Sequence, residues 1–284
     1  MSHRHLTGRG LRFSYTPGAE VLTGADVDVR PGSRVALLGA NGSGKSTLLQ
    51  CLAGTLKPTA GEISVDGTTM DWSRRALRAH RQTVQLVFQN PDDQLFSADV
   101  ADDVAYGPMN LGLSAAEIRS RVDSALNLLS LDDLRHRPIH QLSFGERKRV
   151  AIAGAIAMRP CVLLFDEPTA GVDPAGVDEL FSTLEILEKA GTTVALSTHD
   201  TALALQWADF VAVMHDGVIR QGTPLSILDD ANLVAAARLQ TPWLLSLTSD
   251  LIRDGVLPPT SRPTSTAGLR DALKRAATNP AFTA

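Results

Sequence analysis

The sequence predicts an α/β fold with a mixed sheet at its centre, and three observations predict it. Residues 34–38 form an apolar run that leads through a glycine-rich loop into a second apolar run at 48–52. Residues 162–165 are wholly apolar and end on two acids, Asp166 and Glu167. From there to residue 219, strand-like and helix-like stretches alternate, as they do when helices join parallel strands.

The elements follow in order. Residues 11–16 and 25–29 alternate apolar and polar side chains, the pattern of half-exposed strands, with turns at Thr16-Pro17-Gly18 and Arg30-Pro31-Gly32. Residues 34–38 and 48–52 are a strand and a helix. Residues 62–65 form a strand closed by Asp66-Gly67, and 83–88 a β-rich strand ending at Gln89-Asn90-Pro91. The first third therefore lays antiparallel pieces against a parallel sheet. Residues 92–160 read as mostly helical. Ser114 and Glu117 make a capping box, and Ile118, Val122, Ala125, Leu126 and Leu129 repeat at helical spacing behind it. Ser143 to Met158 is a further helix. Strands at 162–165 and 192–196 and helices at 178–189 and 202–207 restore the α/β alternation, and 210–214 with 218–219 close a hairpin across His215-Asp216-Gly217. Beyond residue 222, Pro224, Pro242, Pro258, Pro259 and Pro263 punctuate short apolar patches; 260–266 reads as a linker and 267–276 as a small helix. The division expected is a nucleotide-binding domain at 1–222, with a helical subdomain at about 92–160, and a C-terminal appendage at 223–284.

Composition narrows the function classes. The chain has 284 residues, 44% of them hydrophobic, and a net charge of −4, which gives no support to a nucleic-acid partner. No apolar stretch reaches the ~18 residues of a membrane span; the best candidate, 151–165, is broken by Arg159-Pro160. Met1-Ser2-His3-Arg4-His5 is polar, so no secretory signal is expected. Cys51 and Cys161 lie in apolar segments and are expected as buried thiols. His3 and His5 are expected on a mobile tail, with no further metal ligand in sight.

Gly39-Ala40-Asn41-Gly42-Ser43-Gly44-Lys45-Ser46-Thr47 matches G-x-x-x-x-G-K-[ST], the phosphate-binding P-loop, in the strand–loop–helix context the motif needs. Glycine lets the backbone turn sharply with its N–H groups pointing inward, and the following helix N-terminus adds to this anion cradle. Lys45 is expected at the β- and γ-phosphates and Ser46 on Mg²⁺. The strand 162–165 with its two acids is the Walker B pattern: Asp166 in the Mg²⁺ shell, Glu167 as general base on the attacking water.

With these residues in place the sequence resembles the ATP-binding cassette (ABC) ATPases across roughly residues 6–222. Leu142-Ser143-Phe144-Gly145-Glu146 resembles the signature, Gln89 the Q-loop glutamine, Ala170-Gly171-Val172-Asp173 the D-loop, His199 the switch histidine and Tyr15 the aromatic that stacks on adenine. The resemblance implies that Ser143 and Gly145 contact the γ-phosphate held by a second cassette. Two chains then pair head to tail around two ATP molecules, as a homodimer or as a heterodimer with a sister ATPase. It further implies that Gln89 touches metal and water, that His199 orients Glu167 and the water, and that Asp173 carries information across the dimer. Phe144 and Glu146 stand where the family usually has Gly and Gln, and Val172 where Leu is common; Phe144 bears on the shape of the signature surface. The residues also have plainer readings: Ser143 with Glu146 is itself a capping box, Asp173 can cap a helix, and Tyr15 can be strand packing.

Three segments resemble the ATPases of energy-coupling factor (ECF) importers, in particular the cobalt and nickel uptake branch. They are residues 88–96, residues 103–108 with 110–112, and residues 147–154; the Pro-Trp-Leu-Leu stretch at 242–245 leans the same way. In that family the ATPase sits peripherally on the cytoplasmic face of the membrane and drives multispanning coupling and substrate-binding subunits, which choose the cargo. A vitamin-type ECF importer or another ABC transporter is the nearer alternative, and a soluble ABC ATPase the more distant one. A GTPase is disfavoured because the N-K-x-D guanine motif does not occur.

Overall fold

The computed structural model describes residues 3–278. Two sheets organise it. The first is antiparallel, with strand order β2 (Glu20–Val29), β1 (Leu6–Ser14), β4 (Ala60–Val65), β5 (Thr68–Thr69). The second has six strands in the order β10 (Val218–Gly222), β9 (Phe210–His215), β3 (Arg34–Leu38), β8 (Thr193–Thr198), β7 (Val162–Phe165), β6 (Val84–Val87). All neighbours in this sheet are parallel except the β9–β10 hairpin. Parallel strands covered on both faces read as continuous apolar runs, and every residue of β7 and β8 is buried. Alternate side chains serve two cores. Val35, Leu37, Val162, Leu164 and Ala212 face the antiparallel sheet and α1 (Lys45–Leu52). Ala36, Leu38, Leu163, Phe165 and Val211 face the opposite way, toward α5 (Phe144–Ala157) and α6 (Pro174–Lys189).

The remaining helices are α2 (Arg74–Thr83), α3 (Val100–Asn110), α4 (Ala115–Leu128), α7 (Thr201–Trp207), α8 (Pro224–Leu228), α9 (Ala231–Ala236), α10 (Trp243–Arg253) and α11 (Thr266–Ala277). Helices α3, α4 and α5 make up the region expected to be helical; the predicted capping box is complete at α5, whereas at α4 only the Ser114 half forms, Glu117 pairing with Arg121 instead. Ser114 Oγ accepts from Glu117 N at 3.2 Å, and Ser143 Oγ accepts from Glu146 N at 3.2 Å while Glu146 Oε2 accepts from Ser143 N at 2.7 Å.

Several expectations need correction. Helix α2 has no counterpart in the sequence reading. Ser73 caps it, but His80 is its one fully buried residue, so no apolar stripe announces it. Strand β1 begins at Leu6, not Leu11: Gly8-Arg9-Gly10 interrupts the alternation, and the pairing register shifts there. The segment after 222 contains four helices where one was expected. Pro224 occupies the first turn of α8 and Pro242 is the N-cap of α10, so these prolines start helices. Ile227, Leu228, Leu233, Val234, Leu244 and Leu245 join the same core as α5 and α6. Cys51 is buried, but Cys161 only half so. His5 is not on a loose tail: its Nε2 lies 2.5 Å from Asp28 Oδ1, and His3 packs beside Gly32.

Candidate active site

The parallel strands β3, β8, β7 and β6 are neighbours, so the loops leaving their C-terminal ends lie side by side. Those loops carry the P-loop, His199, the acid pair and Gln89. Ligands bind at this edge of an α/β sheet.

The P-loop is shaped by glycines that other residues could not replace. Gly44 has φ +106° with Val21 and Met214 packed against it, and a Cβ on Gly39 would lie 2.6 Å from Ser43 Oγ and 2.9 Å from the Met214 carbonyl. Lys45 is buried; its Nζ donates to the carbonyls of Gly39 at 2.9 Å and Ala40 at 3.3 Å, and lies 3.4 Å from Glu167 Oε1. Ser43 Oγ and Glu167 Oε1 are buried yet have no hydrogen-bond partner among the described residues. A buried polar atom without a partner is costly, so this edge suits a polar guest. A polyphosphate meets the need of Ser43, accepting from its Oγ, from Lys45 and from the loop amides, while Glu167 Oε1, an acceptor, calls for a donor such as water. Asn41 and Gly42 are exposed at the loop's tip, and Ser46 opens α1 half-buried. Thr47 is turned away: its Oγ1 lies 3.1 Å from Tyr15 Oη. That contact tethers Tyr15, whose ring is 62% exposed at the mouth of the loop and edge-on to Phe13 at 4.9 Å. Such a ring is open for stacking.

Asp166 and Glu167 continue from β7. Asp166 Oδ1 accepts from Ser197 Oγ at 2.6 Å, and the same hydroxyl accepts from Glu167 N at 2.9 Å. Glu167 adopts φ +45°, the left-handed region that non-glycine residues rarely enter and that clusters at functional sites. Its Oε2 lies 3.1 Å from His199 Nδ1. One carboxylate thus stands between the P-loop lysine and an exposed imidazole. Gln89 is exposed two residues beyond β6, whose last residue, Val87, accepts from Asp166 N at 2.9 Å. Ser46, Gln89 and Asp166 offer a hydroxyl, an amide carbonyl and one carboxylate, hard oxygen donors of the kind Mg²⁺ takes when phosphates and waters complete its shell. Among the described residues no group of three or more His, Cys, Asp and Glu side chains forms a metal site.

The signature residues stand elsewhere. Ser143 caps α5, and Gly145 in its first turn has open space around it. They line a cavity of about 780 Å³ with Gly171 and Asp173, and no residue of it lines the cavity of about 670 Å³ beside the P-loop. The Ser143 backbone N–H holds the Glu146 carboxyl below the usual carboxylate range. Asp173 caps α6, its Oδ1 accepting from Gly176 N at 2.8 Å. The structure therefore groups Lys45, Asp166, Glu167 and His199 around one centre, and sets Ser143, Gly145 and Asp173 in a different cavity from the tip of the P-loop.

Two site residues escaped the sequence reading. Ser197 is one of three hydroxyl residues in β8, with Thr193 and Thr198, and only the pairing of β8 with β7 brings it to the two acids. Lys148 lies 2% exposed inside α5, donating from Nζ to Glu167 O at 3.1 Å and Ala170 O at 3.0 Å. Burial pulls its ammonium down to about 8, against the pull of Glu167 and Asp166. Lys148 stands between Arg147 and Arg149, which are only half-buried, so nothing local in the sequence sets it apart from them.

Comparison with known proteins agrees with this fold. Residues 22–170 match the ABC transporter family. The chain is 46% identical over 269 residues, 94% of this chain and 95% of the relative, to the cobalt import ATP-binding protein CbiO of Rhodobacter capsulatus. It is 43% identical to the energy-coupling factor transporter ATP-binding protein EcfA of Methanocaldococcus jannaschii, over 88% of this chain and 90% of that one. Among solved structures, cbiO1 of Clostridium perfringens, described as part of the ABC transporter complex cbiONQ, superposes with a TM-score of 0.72 at 41% identity, covering 86% of this chain and 98% of that one. A dimeric ATP-binding cassette in a post-hydrolysis state with ADP and phosphate superposes with a TM-score of 0.70 at 26% identity, covering 77% and 98%. The chain belongs to the ABC transporter family, as one of its ATP-hydrolysing cassettes, and resembles the ATPases of energy-coupling factor importers.

Proposed function

We propose that this chain is the ATPase motor of an ECF-type importer of cobalt or nickel ion, and that residues 1–222 supply the chemistry while 223–284 add dimer contacts or regulation. The observation that carries the motor reading is Glu167, held in a left-handed turn 3.4 Å from Lys45 and 3.1 Å from His199. The ATP triphosphate is cradled by residues 39–47, with Lys45 at the β- and γ-phosphates and the adenine on Tyr15. Ser46, Asp166 and Gln89 hold Mg²⁺, which when bound neutralises charge on the phosphates. Glu167 accepts the proton of the attacking water, and His199 fixes the orientation of that carboxylate. Ser143 and Gly145 of a second cassette, identical or sister, complete the site, and Asp173 lies at that junction. The separation of the signature face from the P-loop within one chain supports a shared site.

The work is passed to a membrane protein. The segment after Gln89 leads to Phe96 and Tyr106, an exposed edge-on ring pair at 4.5 Å, and to exposed Met109. With Arg78 and Arg81 of α2, Phe96 and Tyr106 border a groove of about 570 Å³. Its occupant in this reading is the coupling helices of a multispanning subunit. Among the described residues no helix is long and apolar enough to cross a membrane. A peripheral place on the cytoplasmic face belongs to this reading, supported by relatives that are ATP-binding subunits of membrane transporters. The metal cargo rests on the relative named for cobalt import and on the sequence stretches shared with that branch. The relatives named only for energy coupling leave the cargo open, and an ECF importer of a vitamin is the second reading.

Glu167→Gln tests the motor. Mg²⁺-dependent turnover is expected to fall at least ~100-fold, the scale of losing a positioned general base, while ATP binding persists. Turnover at the wild-type rate would remove Glu167 as the base. Pull-down from detergent-solubilised membranes, followed by uptake of labelled cobalt or nickel with the copurifying subunits, tests the cargo; a vitamin-binding partner sinks the metal reading.

A further inference from the structure

Phe144 departs from the glycine usual in the signature, and the structure gives it a neighbour. Its ring lies on Gly171, whose φ is +72°; a Cβ there would sit 2.8 Å from Phe144 Cε1. One helical turn on, on the same face of α5, buried Lys148 reaches past the Phe144 ring, 5.7 Å from its centroid, to the carbonyls of Glu167 and Ala170. Those two carbonyls bracket a tight turn, since Ala170 N also donates to Glu167 O at 3.1 Å. The ammonium therefore pins both ends of the segment running from the general base to the D-loop, and Phe144 covers its far side. Breaking these buried charged hydrogen bonds leaves both carbonyls without that donor, which ties residues 167–171 to α5.

The two tied segments serve different nucleotides. Ser143 and Gly145, at the start of α5, face the ATP on the partner cassette, and Glu167 faces the ATP on its own. We propose that Phe144 and Lys148 form a latch that couples the two ATP sites, with Lys148 a positioning residue that sets the Glu167 turn according to what the signature of the same chain has bound. The proposal rests on the shared-site reading above. The signature's bulky residue then has a part in the coupling, because its ring seals the carbonyl–ammonium contacts from water, where they would otherwise weaken.

Dimers assembled from two differently tagged copies test it. In the reference dimer one copy carries Glu167→Gln, so a single base works. Lys148→Met is then placed either in the copy with the working base or in the Glu167→Gln copy, whose signature completes the working site. A latch lowers kcat about 10-fold in both arrangements, the size of effect that sub-ångström misplacement of a reacting group produces, while the KM for ATP stays within ~2-fold because the P-loop is untouched. Reference turnover in either arrangement overturns the coupling. Phe144→Ala, which keeps Ser143, Gly145 and the lysine, is the second variant. In the copy with the working base its own signature faces the dead site, so the expected ~3-fold loss can pass only through residues 167–171; no loss there overturns the latch even where Lys148→Met fails to fold. Ser143→Arg in the Glu167→Gln copy separates the two readings. It must silence the reference dimer, and if turnover survives, the shared site itself is wrong.

Discussion

Ser197 shows how much of the site depends on one hydroxyl. It is wholly buried, donates to Asp166 and accepts from the N–H of Glu167. It thereby fixes the expected metal ligand and the backbone of the base at once. Ser197→Ala leaves a buried carboxylate oxygen and a buried N–H each short of a partner. Losing such partners costs about 1–3 kcal/mol apiece, so chemical denaturation should show the variant ~2 kcal/mol or more less stable. Because Asp166 is freed to rotate, the Mg²⁺ concentration for half-maximal ATPase should rise, and kcat should fall about 10-fold. An unchanged Mg²⁺ profile would mean that the hydroxyl supports the fold and not the metal position. Nothing comparable is expected of Asp173→Ala in the isolated chain beyond the loss of a helix cap, ~1 kcal/mol; its further part belongs to the dimer.

At the scale of elements, what the sequence disclosed follows from the kind of signal each element gives. β3, β7 and β8 are buried on both faces, so their apolar runs are unmistakable, and the P-loop and acid pair are read directly from the residues that end them. The signature helix is announced by its capping box. By contrast, Lys148 and Ser197 act through contacts between distant segments, which no local pattern encodes. α2 is invisible in the sequence for a related reason. It is held by a side chain: His80 Nε2 lies 2.6 Å from Leu52 O at the end of α1, and Arg81 donates to Gly54 O at 2.8 Å. Burial pushes the His80 imidazole below its ordinary value of 6.5. The sign follows from linkage: the unfolded chain takes up a proton near 6.5 and the folded chain only at lower pH, so this contribution is present above 6.5 and is lost as pH falls toward the depressed value. Thermal melting at about pH 7.5 and at about pH 5, above and below 6.5, should therefore show a larger fall in midpoint for the wild type than for His80→Gln, which has no proton to gain. Equal falls would assign acid sensitivity to other groups.

For the whole molecule, the question is whether the four C-terminal helices are a passenger or part of the motor. α8 packs against α7, β9 and β10, and Leu228, with no exposure, sits in the core shared with α5 and α6. The hydroxyl of Thr201, two residues from His199, donates to Gln240 O at 2.8 Å. On the other side Ala236, Ala237 and Arg238 border the cavity beside Ala40, Asn41, Gly42 and Ser43. Residues after 222 therefore touch both the segment of the switch histidine and the rim of the phosphate loop. A buried Leu→Ala change costs about 2–5 kcal/mol. If the two parts fold as one unit, Leu228→Ala and Leu184→Ala, the latter in α6, should lower the midpoint of a single transition, monitored both by helical signal and by loss of nucleotide binding. A chain ending at residue 222 should bury too little apolar surface on α7 and β9 to melt cooperatively, and its ATPase should fall with its stability. Two separate transitions, with Leu228→Ala shifting only one of them and leaving ATP turnover intact, would make residues 223–284 an independent module. In that case its contribution would lie in dimer contacts or regulation, and the chemistry would belong wholly to the residues before it.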